Sequence, residues 1–477
     1  MNHRLTIPAS AIPASAIAAA VLLACASFAA SAAETATAAP AGATAQASDV
    51  KLFIATNGVA LSQFPSTSRL STTVKIDLTR PGVTLPWLAR SDSAWLTVTS
   101  SGATGTALKL QADPSSLAED TLYIANVVVA TPASSSVQDT ERMRVSFWKG
   151  STDPDVVEVA QNVASMAANP VEPLAYVSDG GQTIQVYNVY SGALVRTLDK
   201  VAPSVGRLVV SSDGTKLFTV DRTNYRLLAL DARSGKLLQR IRLQGPIASD
   251  FSFAYARPAG NETLYAPGQP AIDVASGQAV SAPIQSPYGY FNDPYIAASA
   301  DGTRLTVLER NAGFYPSLDT LSVSAADGQL SVTPLLWGMG INSNGYCASV
   351  ATTSDSSRLY AGCGLAEFDT YDWRTAQQIQ TLPANYNAVS TAVDSNGDLV
   401  GAIDNPYFSD ASDVYVYNRQ GYTLGTVPAS NSTFQSGQAP GQLATSGDSM
   451  RVITTTDPAY SFGTQTLVFR SLPHGTP

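Results

Sequence analysis

Runs of Leu and Val separated by short polar turns recur along the C-terminal two thirds of the chain. The most regular stretch covers residues 207–243, RLVVSSDGTKLFTVDRTNYRLLALDARSGKLLQRIRL. Its pattern predicts a four-stranded antiparallel meander. Gly214 and Gly235 stand in its two tight turns, where hairpins need a residue that tolerates positive φ.

Copies of this unit recur at the spacing of propeller blades. The residue after the first turn is Leu in six units and Val in the seventh, at gaps of about 40 to 54 residues: Leu174, Leu217, Leu264, Leu305, Leu359, Leu399 and Val452. The repeat divides the region into units 156–200, 205–245, 249–285, 290–338, 343–384, 386–430 and 438–473. The sequence therefore predicts an all-β chain whose residues 155–473 form a seven-bladed β-propeller.

The last unit has no outer strand of its own. Residues 155–160, DVVEVA, precede the first blade and belong to none of the seven units. We expect this segment to pair with residues 464–472 as the missing strand. Such a pairing closes the ring and leaves no long sheet edge open.

The segment 174–198 carries a Tyr-Val pair, an Ile-x-Val-Tyr strand and a Ser-Gly turn. In these features it resembles the YVTN-type repeat of seven-bladed propellers, clearly in the first two units and more weakly in the fourth to seventh. The resemblance implies a fold. It implies no single activity, because such propellers include surface proteins, binding proteins and some enzymes.

Residues 50–150 show short strands punctuated by Gly, Pro, Asp and Ser, which predicts a second domain, an N-terminal immunoglobulin-like β-sandwich. Trp95 in SAWLTV, the turn 112–117 and the strand 121–129 resemble the Bacteroidetes-associated carbohydrate-binding often N-terminal (BACON) module. The sequence departs from that module at Glu119-Asp120, where Gly is usual.

Three tryptophans of this domain have two interpretations. Trp87, Trp95 and Trp148 either pack in the sandwich core or form an exposed platform for sugars. Carbohydrate binding is only what the family resemblance implies, since many such modules are spacers. We expect the domain to act as a spacer.

The N-terminus has the pattern of an export signal. Residues 1–33 combine a short basic start, an apolar run and the small-residue site Ala30-Ser31-Ala32. Leu22-Leu23-Ala24-Cys25 also resembles a bacterial lipobox, so Cys25 is either part of the removed signal or a lipidation site. Residues 34–49 form a low-complexity linker. We expect an exported protein in the periplasm, at the outer membrane or outside the cell, with membrane contact only through a lipid anchor.

Cys347 and Cys363 are the remaining cysteines. They flank the turn at residues 354–357 at nearly equal distances, which places them on neighbouring strands of one hairpin. In an oxidising compartment this arrangement predicts a disulfide. Two free buried thiols are the alternative.

Charge and composition exclude several function classes. The net charge of -9 argues against nucleic acid and anionic membrane surfaces as partners. The two histidines, His3 and His474, lie near the termini, so Ser-His-Asp catalysis, His-ligated zinc and haem ligation by His have no candidates in the body. A quinone would need a stacking Trp with cationic partners, and Trp337 alone is not enough. We expect no cofactor and a monomer.

Long loops gather at one end of the predicted propeller. The turns between strands one and two, and three and four, are short and polar, whereas the opposite loops are long and aromatic. The predicted ligand-binding residues in these loops are Tyr288, Tyr290, Phe314, Tyr315, Trp337, Tyr346, Tyr386, Tyr407 and Tyr460, with Phe291, Phe408 and Phe462 alongside. Aromatic faces suit sugar rings or a cell-surface protein partner. The alternative is that these loops bury their own aromatic residues.

Acidic residues share that rim: Asp179, Asp221, Asp293, Glu309, Asp319, Asp404, Asp410, Asp413 and Asp457, together with Arg222 and Arg310. A pair of them could perform acid and base chemistry on a glycoside, but their spacing selects no pair, and solvated or loop-capping carboxylates are the alternative. Asp394, Asn396 and Asp398 mimic part of a calcium loop, yet they also fit a simple turn, and Asn405 stands where the bidentate Glu is needed.

The leading hypothesis is an exported, non-enzymatic binding or scaffold protein that contacts polysaccharide or a protein partner through its aromatic rim. The rival hypothesis is a carbohydrate-active enzyme, such as a glycoside hydrolase, lyase or lactonase, that uses rim carboxylates.

Overall fold

The structure, a computed structural model, describes residues 50–79, 82–135, 137–153, 156–244, 251–286, 294–309, 317–326, 329–340, 349–362, 367–385, 387–404, 414–427, 438–456 and 465–473. These residues form an all-β protein with one short 3-10 turn at Pro258–Gly260. Within these ranges, no helix is long and apolar enough to cross a membrane.

The N-terminal domain is a two-layered β-sandwich. Its strands are β1 (Leu52–Phe53), β2 (Gly58–Gln63), β3 (Ser68–Arg69), β4 (Ser71–Lys75), β5 (Asp77–Leu78), β6 (Pro86–Ser91), β7 (Leu96–Val98), β8 (Ser101–Ala103), β9 (Ala107–Ala112), β10 (Thr121–Ala130) and β11 (Thr140–Lys149). One sheet has the order β3-β2-β11-β10-β6-β8, the other has the order β4-β9-β7, and β1 pairs with β5. The first long strand, β2, runs parallel to the last strand, β11, as in immunoglobulin-like domains.

The three tryptophans of the sandwich are buried or half-buried. Trp87 is only 1% exposed in the core between the two sheets. Trp95 packs against the same core, with its ring centroid 5.9 Å from that of Phe147. Trp148 packs instead against Tyr190 of the propeller, at 5.5 Å between centroids. Packing in the sandwich core therefore holds for Trp87 and Trp95, whereas Trp148 packs at the contact with the propeller.

An unusual backbone conformation explains the departure at Glu119-Asp120. Asp120 adopts a left-handed φ of 52°, a region that normally favours Gly. Its carboxylate accepts hydrogen bonds from the backbone N–H and the hydroxyl of Ser151, at 3.0 and 2.6 Å. Asp is among the residues that tolerate this conformation, and these bonds hold it in place.

Seven four-stranded antiparallel sheets follow, here called blades 1 to 7. Blade 1 comprises β13 (Ser165–Ala168), β14 (Leu174–Ser178), β15 (Ile184–Asn188) and β16 (Leu194–Leu198). Blade 2 comprises β17 (Val205–Val210), β18 (Lys216–Asp221), β19 (Arg226–Asp231) and β20 (Leu237–Arg242). Blade 3 comprises β21 (Ala254–Ala256), β22 (Thr263–Tyr265), β23 (Pro270–Asp273) and β24 (Ala279–Pro283). Blade 4 comprises β25 (Pro294–Ala298), β26 (Arg304–Glu309), β27 (Ser317–Ala326) and β28 (Gln329–Gly340). Blade 5 comprises β29 (Ser349–Thr352), β30 (Arg358–Gly362), β31 (Glu367–Asp372) and β32 (Gln377–Pro383).

Blade 6 comprises β33 (Asn387–Val393), β34 (Leu399–Asp404), β35 (Val414–Tyr417) and β36 (Thr423–Val427). Blade 7 combines β37 (Gln438–Thr445), β38 (Arg451–Thr456) and β39 (Thr466–Ser471) with β12 (Val156–Ala160) from the other end of the domain. Val156 pairs with Arg470 and Ala160 with Thr466, so the early segment supplies the outer strand of the last blade. This is the pairing expected for residues 155–160.

The first strands of the blades form a closed ring. β13 contacts β17, β17 contacts β21, and the series continues through β25, β29, β33 and β37 back to β13. The Ser165 hydroxyl accepts the Leu208 N–H at 2.9 Å, and the Ser349 hydroxyl accepts the Thr391 N–H at 2.7 Å. These bonds link matching positions of adjacent first strands, so the strands run in the same direction around a seven-bladed propeller.

The common strand direction places all first turns at one end of the propeller, here called the turn face. The opposite end, which carries the loops between second and third strands, is called the rim face. Asp side chains build the turns: Asp213 accepts hydrogen bonds from Ser211 and Thr215, and Asp231 accepts from the N–H and hydroxyl of Ser234. Such local bonds satisfy turn N–H groups that no sheet partner reaches.

The outer strands carry β-bulges. In blades 1, 2, 4 and 5 the unpaired residue at the bulge is apolar and about half exposed: Val195, Leu238, Leu335 and Ile379. A bulge bends an edge strand and interrupts its row of free hydrogen-bonding groups. This feature protects the perimeter of the propeller from edge-to-edge pairing.

The sandwich packs directly on the turn face. Arg144 of β11 forms an ion pair with Glu172 of blade 1 and donates to the carbonyl of Asp213 in blade 2 at 3.3 Å. Gly58 lies so close that a Cβ placed there would approach the Ser212 carbonyl oxygen to 2.0 Å. Only Gly permits this approach of the two domains.

Further polar contacts extend around the ring. Arg257 of blade 3 donates to the Glu141 carboxylate at 2.7 Å. Arg69 reaches the other side of the ring, where it donates to the Ser395 hydroxyl of blade 6 and to the Gly447 carbonyl of blade 7 at 3.4 Å. The contacts thus involve blades 1, 2, 3, 6 and 7. Because they surround the ring axis, the sandwich covers the turn-face end of the central channel, and it is not a freely hinged spacer.

An aromatic cluster joins the sandwich to the seam between the first and last blades. Tyr190 of blade 1 packs against Phe64 at 4.8 Å and against Trp148. Its hydroxyl donates to the Asp448 carboxylate of blade 7 at 2.5 Å. Burial raises the pKa of Tyr190 well above its usual value, and the Asp448 charge adds to this effect. The sandwich therefore contacts the place where the ring closes.

Candidate functional site

The rim face is where the sequence predicts the site. Most of the predicted ligand-binding residues lie outside the described residues: Tyr288, Tyr290, Phe314, Tyr315, Tyr346, Tyr386, Tyr407 and Tyr460. The same holds for Phe291, Phe408, Phe462 and the cysteines Cys25, Cys347 and Cys363. Trp337 lies in β28, the outer strand of blade 4. The strand ends that flank these loops are described: Glu309 pairs with Ser317 in blade 4.

The described rim carboxylates have different environments. Asp221 is buried and caps its loop, since it accepts hydrogen bonds from the N–H groups of Thr223 and Asn224, both at 3.1 Å. Asp179 is exposed and accepts from the Gly181 N–H at 2.8 Å. For these two residues the loop-capping interpretation holds.

Glu309 and Asp319 are the two rim carboxylates that the fold brings onto one face of a blade. Glu309 pairs with Ser317 and Val307 pairs with Asp319, so the two acidic side chains are diagonal neighbours in blade 4. They are 4% and 1% exposed, and the Ser286 hydroxyl lies 3.5 Å from Glu309 Oε1. Both are covered by protein. Asp293, Asp410, Asp413, Asp457 and Arg310 lie outside the described residues.

Tyr225 is a rim aromatic that sequence reasoning missed. It closes the Asp221-capped loop of blade 2, adopts a left-handed φ of 53°, and is 43% exposed. Its carbonyl accepts the Leu243 N–H at 3.1 Å, which anchors the backbone while the ring faces solvent. The sequence signal was weak, because this loop is short and carries a single aromatic residue.

The first strands carry residues at matched positions around the ring, and three of these residues, Phe253, Ser349 and Ser390, are buried. The residues four positions before each first turn are called the fourth-position ring, and they are Ser165, Arg207, Phe253, Tyr295, Ser349, Ser390 and Gln442. Arg207 is the charged member of this ring. Its guanidinium carbon stands 4.2 Å from the centroid of the Tyr295 ring, which belongs to a strand two blades away. The side chain therefore extends past the first strand of blade 3, on the channel side.

The matched residues nearer the turn face mostly have small, apolar side chains. The residues two positions before each first turn are Ala167, Val209, Tyr255, Ala297, Ala351, Ala392 and Ala444. All seven are half-buried, and five are alanine. Alternate residues of a strand share one face, so these side chains lie beneath the fourth-position ring. Access from that side ends at the sandwich, which leaves the rim face as the route to Arg207.

The segment Asp394 to Asp398 is a turn. The Asp394 carboxylate accepts hydrogen bonds from the Asn396 and Asp398 N–H groups at 2.8 and 2.9 Å. Burial, reinforced by the Asp394 charge, raises the pKa of Asp398 to about 6. Among the described residues, no group of three or more acidic, His or Cys side chains is arranged to hold a metal ion. The hydrogen bonds of Asp394 are those expected of a turn.

Comparison with known proteins adds no assignment: no protein-family model and no curated protein matches the chain.

Proposed function

We propose that the protein is an exported, non-enzymatic binding or scaffold protein whose propeller contacts a polysaccharide or a protein partner at the rim face. The observation that carries the proposal is the docking of the sandwich on the turn face through Arg144, Arg257 and Arg69. With that end occupied, ligands approach the propeller from the rim, where the sequence concentrates its long aromatic loops.

Tyr225 supports an aromatic contact surface. Its half-exposed ring stands on a loop that Asp221 and the Leu243 N–H hold in place. A fixed aromatic ring loses little conformational entropy on binding and offers an apolar face to a sugar or a partner side chain. The aromatic residues of the neighbouring rim loops would extend this surface.

The finer family assignments are also part of the proposal. The tight second turn and short strands of blade 1 agree with a YVTN-type repeat. The left-handed Asp120, at the position where Gly is usual, agrees with a BACON-like sandwich. Export by the signal at residues 1–33, with or without lipidation of Cys25, completes the proposal.

Rim variants test this function. Combined Tyr225→Ala, Tyr288→Ala and Tyr460→Ala changes should weaken binding on a glycan array or in a cell-wall pull-down at least tenfold, because several stacking contacts are lost together. Tyr422→Ala is the matched control, since Tyr422 is 72% exposed and lies in a second turn, at the opposite face. Equal loss in both variants, or no loss in the rim variant, contradicts the proposal. If the protein turns over a bound glycan, and if changing a rim Asp to Asn abolishes that turnover, the rival hypothesis of an enzyme is favoured.

A further inference from the structure

We infer that Arg207 is the anion-recognition residue of the propeller and binds a carboxylate of a sugar-acid ligand that enters from the rim. This inference rests on the proposed function and specifies its ligand class. The Arg207 guanidinium lies over the Tyr295 ring, and its Nε is buried.

Arg207 has no acidic partner among the described residues. Its guanidinium stacks on Tyr295 at 4.2 Å, and its Nε is buried without a hydrogen-bond acceptor. Three other arginines have partners for part of the guanidinium group: Arg144 pairs with Glu172, Arg257 pairs with Glu141, and Arg222 donates to the Val205 carbonyl at 3.1 Å. Buried guanidinium nitrogens without an acceptor also occur at Arg304 and Arg358, so what sets Arg207 apart is its reach to Tyr295 two blades away. A half-buried cation of this kind is costly unless a ligand supplies the acceptors.

The position of the Arg207 guanidinium over Tyr295 suits the binding of a planar anion such as a carboxylate. A guanidinium above an aromatic ring can still donate through its terminal N–H groups, and these match the two oxygens of a carboxylate. The neighbouring members of the fourth-position ring are neutral, with Gln442 donating to the Ala164 carbonyl at 3.0 Å. One positive charge among neutral groups suits a monoanion.

The location favours a recessed ligand group over general attraction. The chain carries a net charge of -9, so its overall field does not attract anions. A single cation among neutral side chains acts only at short range, on a ligand group that comes close to it. A uronic acid combines a sugar ring, the kind of group that the proposed function assigns to the rim, with one carboxylate.

Oligogalacturonate and its methyl ester form a matched pair of probes, because they share sugars and linkages and differ in charge. Isothermal titration should show that the wild-type protein binds the acid at least tenfold tighter than the ester. Arg207→Gln should abolish this preference and leave ester binding unchanged, whereas Arg207→Lys, which keeps the charge but loses the planar fork, should fall between them. Unchanged melting temperatures would establish that both variants fold.

Several results overturn the inference. They are equal affinity of the wild type for acid and ester, no binding of the acid, and acid binding unchanged in Arg207→Gln. Arg207-dependent binding of an acidic peptide without acid-oligomer binding would assign the site to a protein partner.

The rim variants separate the two proposals. Rim changes that weaken both oligomers, with no acid preference in the wild type, would leave the proposed function standing and refute the carboxylate site. If the rim changes have no effect and the preference for the acid depends on Arg207, the carboxylate site stands and the proposed rim function is refuted.

Discussion

The Arg257–Glu141 pair offers a quantitative test of the docked arrangement. Arg257 is 7% and Glu141 16% exposed at the side chain, with 2.7 Å between Nη2 and Oε1. Arg257 also donates to the Ile54 carbonyl at 2.7 Å and to the Gly260 carbonyl at 3.2 Å. Burial raises the pKa of Glu141 although Arg257 acts in the opposite direction, so the site favours a neutral group at residue 141.

These contacts predict an asymmetric response. Arg257→Met should lower the free energy of unfolding by about 3–5 kcal/mol, because it removes three hydrogen bonds and leaves a buried carboxylate unpaired. Glu141→Gln should cost about 1 kcal/mol, since the amide oxygen still accepts from Arg257. The double change Arg257→Met with Glu141→Leu should recover most of the loss, because an apolar pair avoids the desolvation of both charges.

Urea unfolding followed by tryptophan fluorescence and far-UV circular dichroism measures these differences, and coincident transitions would justify a two-state treatment. Lys75→Met is the control, because Lys75 pairs with Asp77 at an exposed position and should change stability by at most about 1 kcal/mol. An Arg257→Met protein as stable as wild type, or a Glu141→Gln protein as unstable as Arg257→Met, would refute the reasoning.

Two further predictions concern Asp398 and the cysteines. The folded-state pKa of Asp398, about 6, exceeds its usual value, so its contribution to stability is present below pH 4 and is lost as pH rises through 6. Wild-type protein should therefore lose more unfolding free energy between pH 4 and 7 than Asp398→Asn, and parallel pH profiles would contradict this. For Cys347 and Cys363, mass spectrometry should detect alkylation of both thiols only after reduction, and labelling without reductant would exclude the predicted disulfide.

The blade architecture could be predicted because each blade is a local structure. The strand periodicity and the Asp-Gly or Ser-Gly turns of a blade all lie within about forty consecutive residues. The turn at Asp213 and Gly214 is an example. The pairing of β12 with β39 also followed from the repeat, since a missing strand and a spare strand were both visible.

The domain interface could not be predicted from local pattern. Arg144, Arg257 and Gly58 resemble ordinary surface and turn residues in sequence, and their partners are distant in the chain. The same limitation applies to the channel. Arg207 is a single charged residue in an otherwise regular strand, and its importance depends on Tyr295 two blades away. The outer-strand bulges could not be predicted, because one extra residue hardly changes the pattern of apolar positions.

The closing strand imposes an order on the making of the protein. Val156 leaves the ribosome long before Arg470, its partner in blade 7. The ring therefore cannot close until nearly the whole chain is available, whereas the sandwich is complete far earlier and can fold first. With the proposed export, a chain that crosses the membrane N-terminus first would carry an unpaired β12 on the far side while the later blades are still crossing.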